Sequence, residues 1–523
     1  MGLKSSYLYA LLFIAFVVCN GYMSVASAQT RVGGDYVKNE LLIKFLPGTT
    51  ETKARTANRK LGADMLESLG DLDWQRVRLP AGMDIGDAIQ RYKQMDGVES
   101  AQPNYYYHLL ATPNDPQFLS GDLYGLIKIS APSAWDLSTG SPTVVVADID
   151  TGMLYTHQDL AANTWVNPGE IPGNGVDDDG NGFVDDVYGW DFFYNDSDPI
   201  DDAGGHGTHT AGTIGAVGNN AFGVVGVNWN VKIMPIKIYS PNGNDSTSSM
   251  LVNAYNYIRM MKNRGVNIRA TNNSYGDCGE ACGYDQATKD ALDAMGDAGI
   301  LNVFAAGNSG RNIDTAPFYP ASYTSPSIIA VAASDSADAK AGFSCFGPIS
   351  VDIAAPGVNV WSTINASNSA TGIKSGTSMA TPHVTGAAAL LSAYRPDLSA
   401  ASLKASLMNN VDVLPAWNGL VKSGGRLNVF KAMQNPTVCT FSPSVGTLTV
   451  PTRGGTFTVN VTAAQNCDYS VKSNSKLWLK VVSSDVMSGN GTVSFHVTLN
   501  PTITRTGTIS IGGQTFTVRQ SRK

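Results

Sequence analysis

Charge is scarce in this chain. Of its 523 residues 15% are charged, 36 Lys and Arg facing 43 Asp and Glu for a formal net charge of -7. Without a basic excess there is no electrostatic footprint for a nucleic acid, and none is expected as a partner. A disordered chain would carry more charge and fewer apolar residues than the 43% found here, and 54 Gly with 24 Pro break any long coiled coil. Long apolar runs are missing too. The first, Tyr7 to Cys19, has 13 residues, against the roughly 20 that a membrane-spanning helix needs. It follows Lys4 and precedes Ala26 and Ala28, the pattern of a signal peptide over residues 1–28 with the exported chain starting at Gln29. Val18 is too bulky for a lipoprotein site at Cys19, and no later segment reaches spanning length. A secreted, extracellular protein without a stable membrane anchor is therefore expected. Cysteine is the last scarcity: six in all, of which Cys19 leaves with the signal. In an oxidising compartment Cys278 is expected to pair with Cys282 and Cys439 with Cys467, leaving Cys345 as a small buried apolar residue.

What is present divides the rest of the chain into three. Residues 29–110 alternate strand and helix signals: Leu41 to Phe45, a helix ending near Gly62, Trp74 to Leu79, Asp84 to Met95, then Val98 onward. This is a small α+β unit, closed by the extended aromatic tail Asn104 to Leu110. Over residues 111–435, β-branched runs such as Val144 to Asp150, Val231 to Tyr239, Ile268 to Ser274, Leu301 to Ala306 and Ile328 to Ala333 alternate with helical patterns. The fold class expected is α/β, a doubly wound, mostly parallel sheet whose reactive groups gather beyond the carboxyl ends of the strands. Residues 436–523 turn to short alternating runs of Thr, Val, Ser and Gly, which read as a β-sandwich.

Four segments carry chemistry. Val144 to Asp150 runs into Thr151-Gly152, which sets the Asp150 carboxylate at a strand's carboxyl end. Alone this is equally an Asx turn; an aspartic-protease reading fails because there is no second Asp-Thr-Gly or Asp-Ser-Gly to share a proton. Gly205-His206-Gly207-Thr208-His209 puts an imidazole among small residues at a helix start. A metal pair of His206 with His209 competes, weakened by the lack of a carboxylate between them. His209, His157 and His383 read as packed, hydrogen-bonded structural residues. Ser378, in Gly376-Thr377-Ser378-Met379-Ala380-Thr381-Pro382, falls at a helix N-terminus, where free backbone N–H groups favour an oxyanion. A capping serine would look the same, and Pro382 is expected in the first turn, where its missing N–H costs little. Asn308 follows the small-residue strand end Ala305-Ala306-Gly307 and is suited to donate to a negative oxygen, or to take a left-handed turn.

Asp177 to Asp186 crowds five carboxylates into ten residues, which repel unless a cation sits among them. Calcium is the natural choice. Asp177, Asp179 and Asn181 hold alternate ligand positions with Gly182 at the turn and Asp185 and Asp186 following, although Tyr188 stands where an EF-hand has its bidentate Glu. A solvated acidic loop is the plain alternative.

Taken together, Asp150-Thr151-Gly152, His206-Gly207-Thr208-His209, Ala305-Ala306-Gly307-Asn308 and Gly376-Thr377-Ser378-Met379-Ala380 resemble the subtilisin family of serine peptidases, and Thr112-Pro113-Asn114-Asp115-Pro116 resembles its thermitase-like branch. The resemblance implies a triad in which Asp150 orients His206, His206 takes the proton of Ser378, and Ser378 attacks the scissile carbonyl, with Asn308 and the Ser378 N–H as oxyanion hole. It implies that Ser274, Tyr275 and Gly276 pair with an extended substrate and, with Ala305, Ala306 and Gly307, wall the pocket for the side chain before the cut bond. These walls carry no charge, so large apolar or aromatic side chains are expected there unless Phe318, at the floor, narrows the space. A second calcium site is implied at Asp115, Asp159 and Asn220. Residues 29–110 resemble the family's inhibitor propeptide, which makes the chain's own propeptide a partner until it is cut away. The last domain, with Asn466-Cys467-Asp468-Tyr469, Trp478-Leu479 and Arg505-Thr506-Gly507, is similar to BACON domains, which suggests a glycan ligand or a spacer or stabilising module. The function expected is a secreted, monomeric serine endopeptidase, made as a precursor and stabilised by calcium, acting on proteins and peptides. A non-catalytic adhesin on the same scaffold and a peptide ligase are the alternatives.

Overall fold

The computed structural model describes residues 36–106, 111–243, 245–276, 283–500 and 503–521. The expected signal peptide, the start at Gln29, the end of the aromatic tail, and Cys278 with Cys282 lie outside the described residues. The chain forms two compact units, Met1–Leu109 and Leu110–Lys523.

In the first unit an antiparallel sheet has the order Asp64–Ser68, Trp74–Arg78, Tyr36–Phe45, Val98–Tyr105. Helices Glu51–Lys60 and Ile85–Lys93 begin where Thr50 and Asp84 accept the N–H groups of Lys53 and Asp87. Alternate residues Leu41, Ile43 and Phe45 point inward onto Val77, Ile89 and Tyr92. The strand Asp64–Ser68 was not expected. It is an edge strand with no buried residue, so it carries no alternating apolar signal.

The second unit is built on a nine-stranded sheet. Its order is Asp412–Val413, Gly425–Arg426, Ile353–Pro356, Ile328–Ser334, Leu301–Ala305, Ile268–Asn273, Gly140–Asp150, Asn230–Lys237 and Trp190–Asp191. The pairings are parallel except at the Asp412–Val413 edge. Both faces are covered, which explains the continuous apolar runs. On one face Ala270, Val303, Ile329 and Val331 meet Ala380 and Val384 of helix Thr377–Tyr394. On the other, Phe304, Ala330 and Ala332 share a core with Tyr255, Ile258, Leu292 and Met295 of helices Ser248–Asn263 and Gln286–Asp297. Strand Gly140–Asp150 has Asn230–Lys237 on one side and the strand that follows that one in the chain, Ile268–Asn273, on the other. Successive crossovers therefore leave it in opposite directions, and a crevice opens at its carboxyl end, where Asp150 sits.

Beyond residue 435 two sheets face each other. Val459, Val461, Val493 and Phe495 of one pack on Val471, Ile509, Phe516 and Val518 of the other. The expected Cys439–Cys467 disulfide is formed, and Cys345 is free and buried. This sandwich is fastened to the parallel-sheet domain by a buried ion cluster: Lys404 lies 2.8 Å from Asp468 and 3.7 Å from Asp352, with Lys422 3.7 Å from Asp468. Burial works against the Lys404 charge, but the two carboxylates outweigh it and hold its pKa above the ordinary lysine value. Asp468→Ala would leave the buried Lys404 ammonium with Asp352 alone, 3.7 Å away, so it is expected to cost about 3 kcal/mol, the low end for breaking a buried ion pair, in a denaturant titration. Lys472→Ala, which breaks only the exposed Lys472–Asp297 pair, is expected to cost about 1 kcal/mol or less.

Candidate active site

Asp150 is the last residue of its strand and is buried; Thr151 N–H donates to its Oδ1 at 2.7 Å. The His206 ring lies 2.7 Å away through Nδ1, and since the acceptor is a carboxylate, Nδ1 carries the proton. His206 is the first residue of helix His206–Gly215 and is 31% exposed, against 3% for Asp150. The two segments touch because residue 207 is glycine: a Cβ there would lie 2.1 Å from the Gly152 carbonyl oxygen. Burial alone would depress the imidazolium, but the charge of Asp150 and its hydrogen bond outweigh this and raise the His206 pKa above 6.5.

Asp201, which the sequence did not single out, latches this helix start. Its Oδ2 accepts from the N–H and hydroxyl of Thr208, at 3.0 and 2.7 Å, and its Oδ1 accepts from Thr151 Oγ1 at 3.1 Å. Thr151 Oγ1 in turn accepts the Gly207 N–H at 2.9 Å. An acidic residue a few positions ahead of a helix was its only trace in the sequence.

Ser378 is the second residue of helix Thr377–Tyr394, so its N–H has no acceptor one turn back in the helix. Its hydroxyl donates to the Ser274 carbonyl at 3.0 Å rather than to His206, and Ser274 Oγ donates to the Ser378 carbonyl at 2.9 Å. Pro382 is not in the first turn as expected but sixth in the helix. The N–H it lacks would have gone to the Ser378 carbonyl four residues back. That carbonyl is instead taken by Ser274, which ties the serine helix to the end of strand Ile268–Asn273.

Asn308 has its Oδ1 fixed by two donors of Thr377, the N–H at 2.8 Å and the hydroxyl at 3.0 Å. The amide nitrogen is thereby turned the other way, as a donor. Ser274, Tyr275, Gly276, Ala305, Gly307, Asn308 and Ser378 line one open cavity of about 340 Å³, together with Ser309, Phe318 and Thr377. Ala306 is fully buried and outside that lining; it faces the core shared with Phe304 and Phe318 because residues alternate along a strand.

His157, His209 and His383 hydrogen-bond to backbone. His209 donates to the Val360 carbonyl, His383 contacts the Met379 carbonyl and His157 the Ala370 carbonyl, and burial lowers all three pKa values, to about 3 for His209 and about 4 for His383. None of them joins His206 as a metal pair.

Asp115 and Asp159 are fully buried, and among the described residues no basic side chain pairs with either. Asp115 accepts the N–H groups of Asn219 and Asn220; Asp159 accepts Asn220 Nδ2 at 3.0 Å and the Val224 N–H at 2.9 Å. Burial raises the Asp159 pKa to about 6. Gly223, at φ +46°, cradles this carboxylate so closely that a Cβ would fall 2.0 Å from its oxygen. Two buried acids and an amide around one loop fit a hard cation. In the acidic loop the carboxylates that converge are Asp177, Asp179 and Glu170, with oxygens within 4.8 Å of one another; Glu170 lay outside the sequence window. Asp185 instead accepts the N–H groups of Asn174 and Gly175, while Asp186 is buried under Tyr257, Asn167 and Asn181.

The profile of the subtilase family matches residues 141–437, and the chain belongs to that family. It is a subtilisin-like serine endopeptidase of thermitase type, and residues 23–104 match the fervidolysin N-terminal prodomain. Thermitase of Thermoactinomyces vulgaris is 37% identical over 323 residues, 62% of this chain and 99% of that protein. A thermophilic serine proteinase of Bacillus sp. strain AK1 is 34% identical over 68% of this chain and 79% of its own. Among solved structures, a Pseudoalteromonas arctica protease aligns over 62% of this chain and 99% of its own at 28% identity, with a TM-score of 0.49. If His206 is the base of this enzyme, kcat/KM is expected to rise with pH through an apparent pKa above the ordinary 6.5, because Asp150 helps the ring keep the proton it would have to lose. A pH–rate profile with its acid limb below 6 would contradict this.

Proposed function

We propose that the protein is exported after loss of residues 1–28, and is a precursor whose residues 29–110 inhibit the catalytic domain, residues 111–435, until cut away, with residues 436–523 as a stabilising module. The single observation carrying the catalytic assignment is a buried carboxylate bonded at 2.7 Å to a half-buried imidazole at the mouth of a crevice. In this reading the Ser378 hydroxyl leaves the Ser274 carbonyl by turning about its Cα–Cβ bond, gives its proton to His206 Nε2, and its oxygen adds to the scissile carbonyl. Asp150 stabilises the imidazolium and keeps the ring in one tautomer. The Ser378 N–H and the Asn308 amide meet the negative oxygen of the tetrahedral intermediate. His206 then passes the proton to the leaving amine, and water releases the acyl group by the same route in reverse.

Calcium held by Asp115, Asp159 and Asn220 would supply the positive charge that these two buried carboxylates lack, and calcium held by Asp177 and Asp179 with Glu170 would add to the Arg264 guanidinium that reaches Asp179 at 3.2 Å. The BACON-like resemblance of the last domain makes a glycan its candidate ligand, while the Lys404 cluster favours a stabilising role. Proteins and peptides are the substrates in this reading, and the mature form is a monomer.

Purified precursor carrying Ser378→Ala is expected to retain the segment from Gln29 to Leu110 on mass spectrometry and to lose casein hydrolysis by a factor of about 10⁶, the scale measured for the equivalent change in subtilisin. Equal hydrolysis by the two proteins would leave the adhesin reading standing, and joining of added peptides faster than their hydrolysis would favour the ligase. Chelation is expected to speed thermal inactivation, since an ion bound only to the folded state stabilises it by mass action; an unchanged rate removes the calcium assignment.

A further inference from the structure

We propose that Phe318 is the specificity-determining residue of this enzyme and restricts the side chain before the cut bond to small, uncharged groups. The inference rests on the proposed assignment of the cavity beside Ser378 as the site for that side chain. Its two walls are the Ser274 to Gly276 segment and the Ala305 to Asn308 segment, and each wall carries a glycine in the left-handed region, Gly276 at φ +149° and Gly307 at φ +102°. The Phe318 ring lies between these glycines and touches both. A Cβ on Gly276 would fall 2.5 Å from Phe318 Cε1, and a Cβ on Gly307 would fall 2.8 Å from Cε2, on the opposite edge of the same ring. The ring therefore fills the slot that the two missing side chains leave open.

Phe318 is not placed as a swinging gate. It is 8% exposed and belongs to the core that contains Phe304, Ile313, Ala321 and Tyr323. Its backbone is pinned from both sides by Ser322, whose Oγ accepts the Phe318 N–H at 3.0 Å and whose N–H donates to the Phe318 carbonyl at 2.8 Å. Displacing the ring means breaking close packing rather than flipping a surface rotamer. What is left of the cavity is open cleft lined, among the described residues, by Ser274, Tyr275, Ala305, Asn308, Ser309 and Thr377 with no charged side chain, so none of these compensates a lysine, arginine or carboxylate on the substrate. Of the two expectations from the sequence, large apolar or aromatic groups or a pocket narrowed by Phe318, this proposal takes the second.

The test uses the mature enzyme and two peptidyl anilides that differ only in ending with Ala or with Phe. The wild type is expected to have the higher kcat/KM on the Ala substrate by at least about tenfold, the scale at which pocket size discriminates side chains. Phe318→Ala is expected to shift the Ala-to-Phe ratio by at least about tenfold toward Phe. Phe318→Leu, which keeps more of the packing should the alanine variant not fold, is expected to shift the ratio in the same direction by less. A wild type that prefers the Phe substrate, or variants whose ratio stays put, overturns the inference while leaving the peptidase assignment intact. A wild type that cleaves neither substrate overturns both.

Discussion

The 2.7 Å contact between Asp150 and His206 joins two pieces of chain that have no reason to meet except the sheet beneath them. Asp150 stands at the end of a strand whose neighbours on either side are reached by crossovers in opposite directions, so a crevice opens at its carboxyl end. His206 starts a helix that can be brought down onto that end only because Gly207 has no side chain to strike the Gly152 carbonyl. A carboxylate buried there must have a donor, and an imidazole half open to the crevice gains a proton affinity it would not have in water. The contact thus sets a ring tautomer, a pKa and the position of the crevice together.

Around it the molecule spends hydrogen bonds on orientation. Asp201 and Thr151 hold the start of the histidine helix, Ser274 and Ser378 exchange bonds across two elements, and Thr377 turns the Asn308 amide. Each of these bonds lies at a strand's carboxyl end or a helix's first turn, where the backbone has unpaired groups to offer. The small residues that dominate helix Thr377–Tyr394 let it run buried along the sheet and present Ser378 beside the ends of strands Ile268–Asn273 and Leu301–Ala305. Binding geometry and stability are therefore the same packing problem in this domain.

Much of this was legible in the sequence because it is written locally. Apolar β-branched runs marked the strands, and the sharp ends at Asp150 and Asn308 marked their carboxyl termini. The edge strand Asp64–Ser68 was invisible because an exposed strand has no alternation to read. Pro382 was misplaced by part of a turn, since a helix start cannot be located within a few residues from composition. Glu170 escaped the acidic window because it reaches the loop through space, accepting N–H groups from Asp179 and Asp185. Asp115 and Asp159 have uncompensated burial that no count of charges reveals.

The sequence by itself determined the class of fold and the family the chain belongs to. Period, strand ends and short motifs are properties of neighbouring residues, and neighbours are what a sequence displays. Only the tertiary structure decided which groups constrain those residues: that Ser274 takes the carbonyl freed by Pro382, that Lys404 is buried between Asp352 and Asp468, and that the Phe318 ring stands between Gly276 and Gly307. These contacts span segments far apart in the chain, and close packing of a particular core, rather than the preference of any single residue, brings them together.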